Sequence, residues 1–151
     1  MIQKLEDFRV YNAAVALGEE VWKIVMTWDY FQKDAIGKQL VKAVDSIAVN
    51  LSEGLGGYHY KEIKNFSYYS RGSLFETKTW LTKANKRKLI KDDDFLRLIN
   101  DLELVGKMLN SYINTLGPST VDEPLEEYKT ELRTESPTPS PNTQVPIPEH
   151  D

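Results

Sequence analysis

The side chains that could do chemistry here are few, and their spacing suits binding better than catalysis. The histidines are His59 and His150, and neither stands three residues after a glutamate, the spacing by which helical bundles hold di-iron centres. Cysteine is absent, which removes thiol nucleophiles, disulfides and thiolate metal sites together. No histidine follows Arg71 or Arg97 at the short spacing of a bundle ribonuclease, and no serine–histidine–carboxylate set suggests itself. Gly54-Leu55-Gly56-Gly57 lacks the Lys-Ser/Thr that completes a phosphate-cradling loop. The expectation is therefore a chain without catalytic residues, cofactor or metal. A pocket built from Asn50, Glu53 and Arg71 is the remote enzymatic alternative.

Two other groups of residues stand out. Gln39, Lys42, Ser46, Asn50, Glu53 and Gly54 recur at steps of three to four, so they share one edge of a helix beside the apolar stripe Leu40, Val44, Ile47 and Leu51. Arg71, Gly72, Ser73 and Glu76 form a second polar group, in which a mid-helix glycine costs about 1 kcal/mol against alanine. Close approach of a facing helix would offset that cost, and a hydrogen-bond network or subunit contact is the reading these residues suggest. Lys83, Lys86, Arg87, Lys88 and Lys91 then place five cations in one short run without an acid among them. Such a run serves either as a solvated helix end or as a phosphate-contacting patch, to which Lys61, Lys64 and Arg71 could add.

The elements that must position these groups are helices. Apolar residues recur at helical spacing in four segments: Tyr11, Ala14, Leu17, Val21, Val25 and Trp28; Ile36 to Leu51; Ile63, Phe66, Tyr69, Ser73, Thr77, Trp80, Leu81 and Ala84; and Phe95 to Leu116. Asp34 is the expected N-cap of the second helix and Gly54 its expected left-handed end. Asp92-Asp93-Asp94 suit the positive end of the fourth, and Gly117-Pro118 stops it. Short connections make neighbours antiparallel, so the expected fold is all-α: an up-down-up-down four-helix bundle over residues 1–117.

Composition divides the chain at the same point. Residues 1–117 carry 17 Lys/Arg against 15 Asp/Glu, a balance of +2, and all eight glycines; residues 118–151 carry 2 against 8, a balance of −6, and all seven prolines. The second segment is expected to be a disordered, Pro-rich acidic tail, with at most a transient amphipathic turn around Leu125, Tyr128 and Leu132. Its carboxylates could compete with phosphate for the basic run. No apolar stretch is long enough for a membrane span and no secretory signal is evident at the start, so the expected location is cytoplasmic.

The runs Gln39-Leu40, Ser46-Ile47, Asn50-Leu51-Ser52-Glu53-Gly54 and Arg71-Gly72-Ser73-Leu74-x-Glu76 resemble the four-helix-bundle family encoded by 23S rRNA intervening sequences, distantly similar to the accessory protein of diversity-generating retroelements. The resemblance extends over about Phe8 to Leu116. Lys42 stands where that family has an arginine, Leu51-Ser52 where it has Ile-Ala, and no aromatic-proline pair opens the second helix. The resemblance implies a homo-oligomer, commonly a pentameric ring, without established catalysis. Aromatic residues beyond what one stripe can bury (Trp22, Trp28, Tyr58, Tyr60, Tyr68 and Phe75) point the same way. The expected function is a non-enzymatic homo-oligomeric scaffold for a protein or nucleic-acid partner. RNA or DNA binding through the Lys83–Lys91 run is the alternative.

Overall fold

A computed structural model of the chain describes residues 4–57 and 59–117. It is built of helices, with no strand among the described residues. A short 3-10 turn, Leu5–Asp7, precedes α1 (Arg9–Val25), α2 (Lys38–Leu55), α3 (Tyr60–Lys86) and α4 (Asp92–Thr115). The expectations for residues 118–151, and for Tyr58, lie outside the described residues.

The start of α2 differs from the expectation for a physical reason. A capping box forms earlier, at Asp29: its carboxylate accepts the Gln32 amide at 2.8 Å, and the Gln32 side-chain oxygen accepts the Asp29 amide at 3.2 Å. With the first orphan amide satisfied there, one α turn (Tyr30–Gln32) and a π turn (Lys33–Gly37) lead without a break into α2. Asp34 is thus inside a helical run rather than at its cap, and pairs with Lys38 one turn on at 2.6 Å. Gly54 is corrected likewise. It lies inside α2, buried, and a β-carbon there would stand 3.0 Å from Phe66 Cβ and 3.4 Å from the Ile63 backbone. Its use is close approach of α3, while the left-handed end occurs at Gly117 (φ 71°), directly after α4.

Neighbouring helices are antiparallel, and α1–α2, α2–α3, α3–α4 and α4–α1 are in contact, the α2–α3 contact being the most extensive. Ile47 faces Ser70 and Gly54 faces Ile63 between α2 and α3. Lys78 faces Glu103 between α3 and α4, and Glu20 faces Arg97 between α1 and α4. The core is Val21 of α1, Leu40, Val44, Ile47 and Leu51 of α2, Leu81 of α3, and Leu98, Leu102 and Leu109 of α4. Each buried leucine contributes about 1.5–3 kcal/mol of transfer free energy.

The face that α3 buries is not the one its aromatic residues suggest. Lys64, Ser67, Ser70, Leu74, Thr77, Leu81 and Ala84 are buried, while Tyr69 points outward. Hydroxyls can occupy this seam because each has an acceptor: Ser67 donates to the Ile63 carbonyl at 2.8 Å, Thr77 to that of Ser73 at 2.7 Å, and Ser70 across to α2. Trp28, placed by its spacing in the apolar stripe but also counted among the outward aromatics, is 7% exposed, as the stripe has it, and donates its indole N–H to the Leu89 carbonyl at 3.1 Å, joining the α1–α2 corner to the α3–α4 loop. Among the described residues, no helix is long and apolar enough to cross a membrane.

Candidate partner-binding surfaces

The polar edge of α2 is a surface more than a buried network. Gln39, Lys42 and Glu53 are exposed, as are Gly72 and Glu76 on α3; Ser46, Asn50, Arg71 and Ser73 are half-buried. The hydrogen bonds here stay within one helix. Ser46 donates to the Lys42 carbonyl at 2.7 Å and Asn50 to the Ser46 carbonyl at 2.8 Å. The register places Ser46 near the level of Arg71, since Ile47 faces Ser70. The residues of the two motifs therefore share one side of the bundle, but none of these bonds joins Asn50 or Glu53 to Arg71. The interhelical bond that does occur, from Ser70, is adjacent to the motif and carries no signal in a hydrophobic pattern.

Gly72 meets nothing within 4 Å of where a β-carbon would stand, so close approach of a helix of the same chain does not explain it. It shares the outer side of α3 with Tyr69 and Phe75, which are 57% and 58% exposed.

The cations from Lys83 to Lys91 are all exposed and span the end of α3 and the loop that follows. Lys88 N–H donates to the Asn85 carbonyl and Leu89 N–H to that of Ala84, at 3.0 and 2.9 Å, closing a Schellman motif. The left-handed position in that motif, φ 60°, is Lys88 itself, where glycine is the usual occupant. Asn85 holds the loop from inside, donating to the Ile90 carbonyl at 3.1 Å and to Asp92 at 2.8 Å. Lys83 lies 4.9 Å from the Trp80 ring centre, a cation–π contact. Lys64 does not belong with these cations: it is 7% exposed and donates to the Gly117 carbonyl at 3.0 Å, satisfying the negative end of α4.

A third surface was not apparent from motifs. Trp22 and Val25 of α1, Met26 just after it, Gly37 of the π turn and Val41 of α2 line an open apolar cleft, with Lys33, Lys38 and Lys42 at its edge. Trp22 and Met26, one helical turn apart and outside the Val21/Val25 stripe, are each 49% exposed. That spacing was its only trace in the sequence.

Ionisation adds little that resembles catalysis. Asp45 is exposed overall, but partial desolvation where its carboxyl lies against Gly18 of α1, then the nearby Glu19 charge, raises that carboxyl above its ordinary value. Burial, then Tyr60, raises the Tyr112 phenol. The hydrogen bond to Asp34 raises Lys38, and that to Glu20 raises Arg97, both at the surface. Among the described residues, no group of three His, Asp or Glu could hold a metal ion.

The family model of the 23S rRNA-intervening sequence proteins matches residues 6–111, a span that includes both polar motifs. The chain belongs to this family. A solved structure of similar fold is a protein of unknown function from the S23 ribosomal protein family of Bacteroides thetaiotaomicron: TM-score 0.65, 20% identity, with 70% of this chain and 95% of that one covered. At that identity the likeness shows the shared fold. No curated protein matches. The match to the 23S rRNA-intervening sequence family thus covers all but the last residues of the bundle and both its motifs, and residues 112–151 fall outside the matched span.

Proposed function

We propose that the chain is a non-catalytic scaffold that assembles with copies of itself and presents a binding surface to a protein or nucleic-acid partner. A five-copy ring is what the sequence resemblance implies. The observation that carries the reading is the set of large apolar side chains left on the outside of a well-filled core: Trp22, Met26, Tyr30, Phe31, Tyr69 and Phe75. Tyr30 and Phe31 are 84% and 76% exposed on adjacent positions. Exposed apolar groups recurring on several faces favour contacts with other chains over a solvated monomer. Native purification of the intact chain tests this. A particle several times the 17.4 kDa chain mass is expected, and a monomer contradicts it.

A second reading, nucleic-acid binding, is favoured by Lys88. A lysine held in the left-handed region costs roughly 1–2 kcal/mol that glycine would avoid. Keeping a cation there, amid Lys83, Lys86, Arg87 and Lys91, supports a role for the charge. Repetition of the cluster around an assembly would add modest phosphate contacts together. Replacing the five cations with glutamine is expected to abolish salt-dependent RNA binding, and undiminished binding overturns this reading.

A further inference from the structure

We propose that the groove between α3 and α4 binds a mononucleotide, its phosphate held by Arg71, Lys107 and Asn110 and its base laid beside Phe75. This goes beyond both readings above, since it needs neither assembly nor the Lys83–Lys91 run.

The groove encloses about 280 Å³. Ligand pockets run from roughly 300 to 1,000 Å³, so this one suits a small ligand. Its walls come from matching positions on two helices: Arg71, Leu74, Phe75 and Lys78 on α3, and Glu103, Gly106, Lys107 and Asn110 on α4. Each set follows i, i+3, i+4 and i+7, so each is one face of its helix. The buried side chains of Leu74, Leu102 and Leu109 make the base of the groove apolar.

Gly106 keeps the groove open. A β-carbon there would stand 3.4 and 3.8 Å from the two Leu74 methyl groups, which is ordinary contact, so packing of α3 on α4 does not demand glycine. The helix nevertheless carries its cost of about 1 kcal/mol, and the space left above Leu74 is what it gains.

The charges are arranged along the groove. Lys78 and Glu103 pair across one end at 3.7 Å, and Leu74 meets Gly106 one turn further on. Continuing that antiparallel register puts Arg71 level with Asn110, with Lys107 less than one turn away. Arg71 is half-buried and Lys107 exposed, and neither has an ion-pair or hydrogen-bond partner among the described residues. The open end of the groove therefore holds two unpaired cations and an amide donor.

That set fits a phosphate monoester, which carries about −1.5 to −2 charge at pH 7 and so matches two cations. The guanidinium fork of Arg71 can donate to two phosphate oxygens at once, and Lys107 adds a point charge. Phe75 stands four residues from Arg71 on the same helix, about 6 Å along its axis, and is 58% exposed. A ring bonded directly to the phosphate would fall short of it, whereas a ribose bridges that distance. A base set there would stack on Phe75 above the apolar base of the groove.

The test titrates the intact chain calorimetrically with adenosine 5′-monophosphate, and with inorganic phosphate, adenosine and phenyl phosphate at matched ionic strength. One nucleotide per chain is expected, with Kd below about 1 mM, and the three fragments at least tenfold weaker. Arg71→Gln should weaken nucleotide binding at least tenfold and Lys107→Gln about threefold. Phe75→Ala should weaken the nucleotide about threefold and leave inorganic phosphate unchanged. Glutamine at all five cations from Lys83 to Lys91 should leave nucleotide affinity as in the wild type, which separates this site from that run. Circular dichroism checks helix content, and if Arg71→Gln loses helix, Lys107→Glu at its exposed position replaces it under the same expectation. No saturation below about 1 mM overturns the proposal, as does nucleotide binding that survives these changes or inorganic phosphate binding equally well. A 5′-phosphorylated RNA oligonucleotide that binds through Arg71 at least tenfold more tightly than the nucleotide overturns the free nucleotide as occupant and gives the groove to an RNA end.

Discussion

The Ser70 hydroxyl of α3 donates to the Ile47 carbonyl of α2 at 2.8 Å, in a seam where Ser70 is wholly buried and Ile47 fully packed. This bond links the two helices that carry the family motifs and sets their register. It also explains why α3 can bury a serine-rich face: small side chains allow close approach, and the hydroxyls find carbonyl acceptors.

Ser70→Ala removes that bond but leaves the Ile47 carbonyl its helical partner. A loss of about 1 kcal/mol is expected, read as a lower urea midpoint with an unchanged slope.

Gly54 and Gly72 should respond oppositely to alanine. At Gly54 the new methyl meets Phe66 and the Ile63 backbone, and a net loss of about 1–2 kcal/mol follows even after the gain in helix propensity. At Gly72 it meets open space. Gly72→Ala should therefore stabilise by up to about 1 kcal/mol. Denaturant titration of the two variants side by side checks the contrast.

Lys88→Gly relieves the left-handed position of the Schellman motif, and a gain of about 1 kcal/mol in stability is expected. Under the nucleic-acid reading the same variant binds RNA more weakly, by loss of one charge, so stability and binding move in opposite directions.

Asp45 gives a pH dependence of known sign. Partial desolvation against α1 raises its carboxyl in the folded state, so the folded chain binds this proton somewhat more readily than the unfolded one. Its ionisation opposes folding above the raised folded value, and the penalty disappears as pH falls through that value towards the ordinary carboxylate range. Asp45→Asn should raise the melting temperature slightly at neutral pH, with the difference from wild type vanishing near pH 4. A difference that grows on acidification contradicts this assignment.

Much of the bundle was legible because its core is written in leucine and valine at helical spacing: Leu40, Val44, Ile47 and Leu51 occupy the places their pattern assigns. The face of α3 was not, because a pattern of apolar residues ranks Tyr69 and Phe66 above Ser67 and Ser70. Burial followed close packing and available carbonyls instead. The start of α2 was misplaced because Asp29 and Asp34 are both plausible caps, and only the reciprocal Gln32 bond distinguishes them. Of the candidate surfaces, the polar motifs and the cation run could be named from sequence. The cleft arises where residues of two helices meet, so Trp22 and Val41 could be associated only after folding.

Assembly is most directly measured by sedimentation equilibrium of the unaltered chain at micromolar concentrations. A single mass two or more times 17.4 kDa is expected, and a mass of 17.4 kDa throughout shows a monomer and overturns assembly.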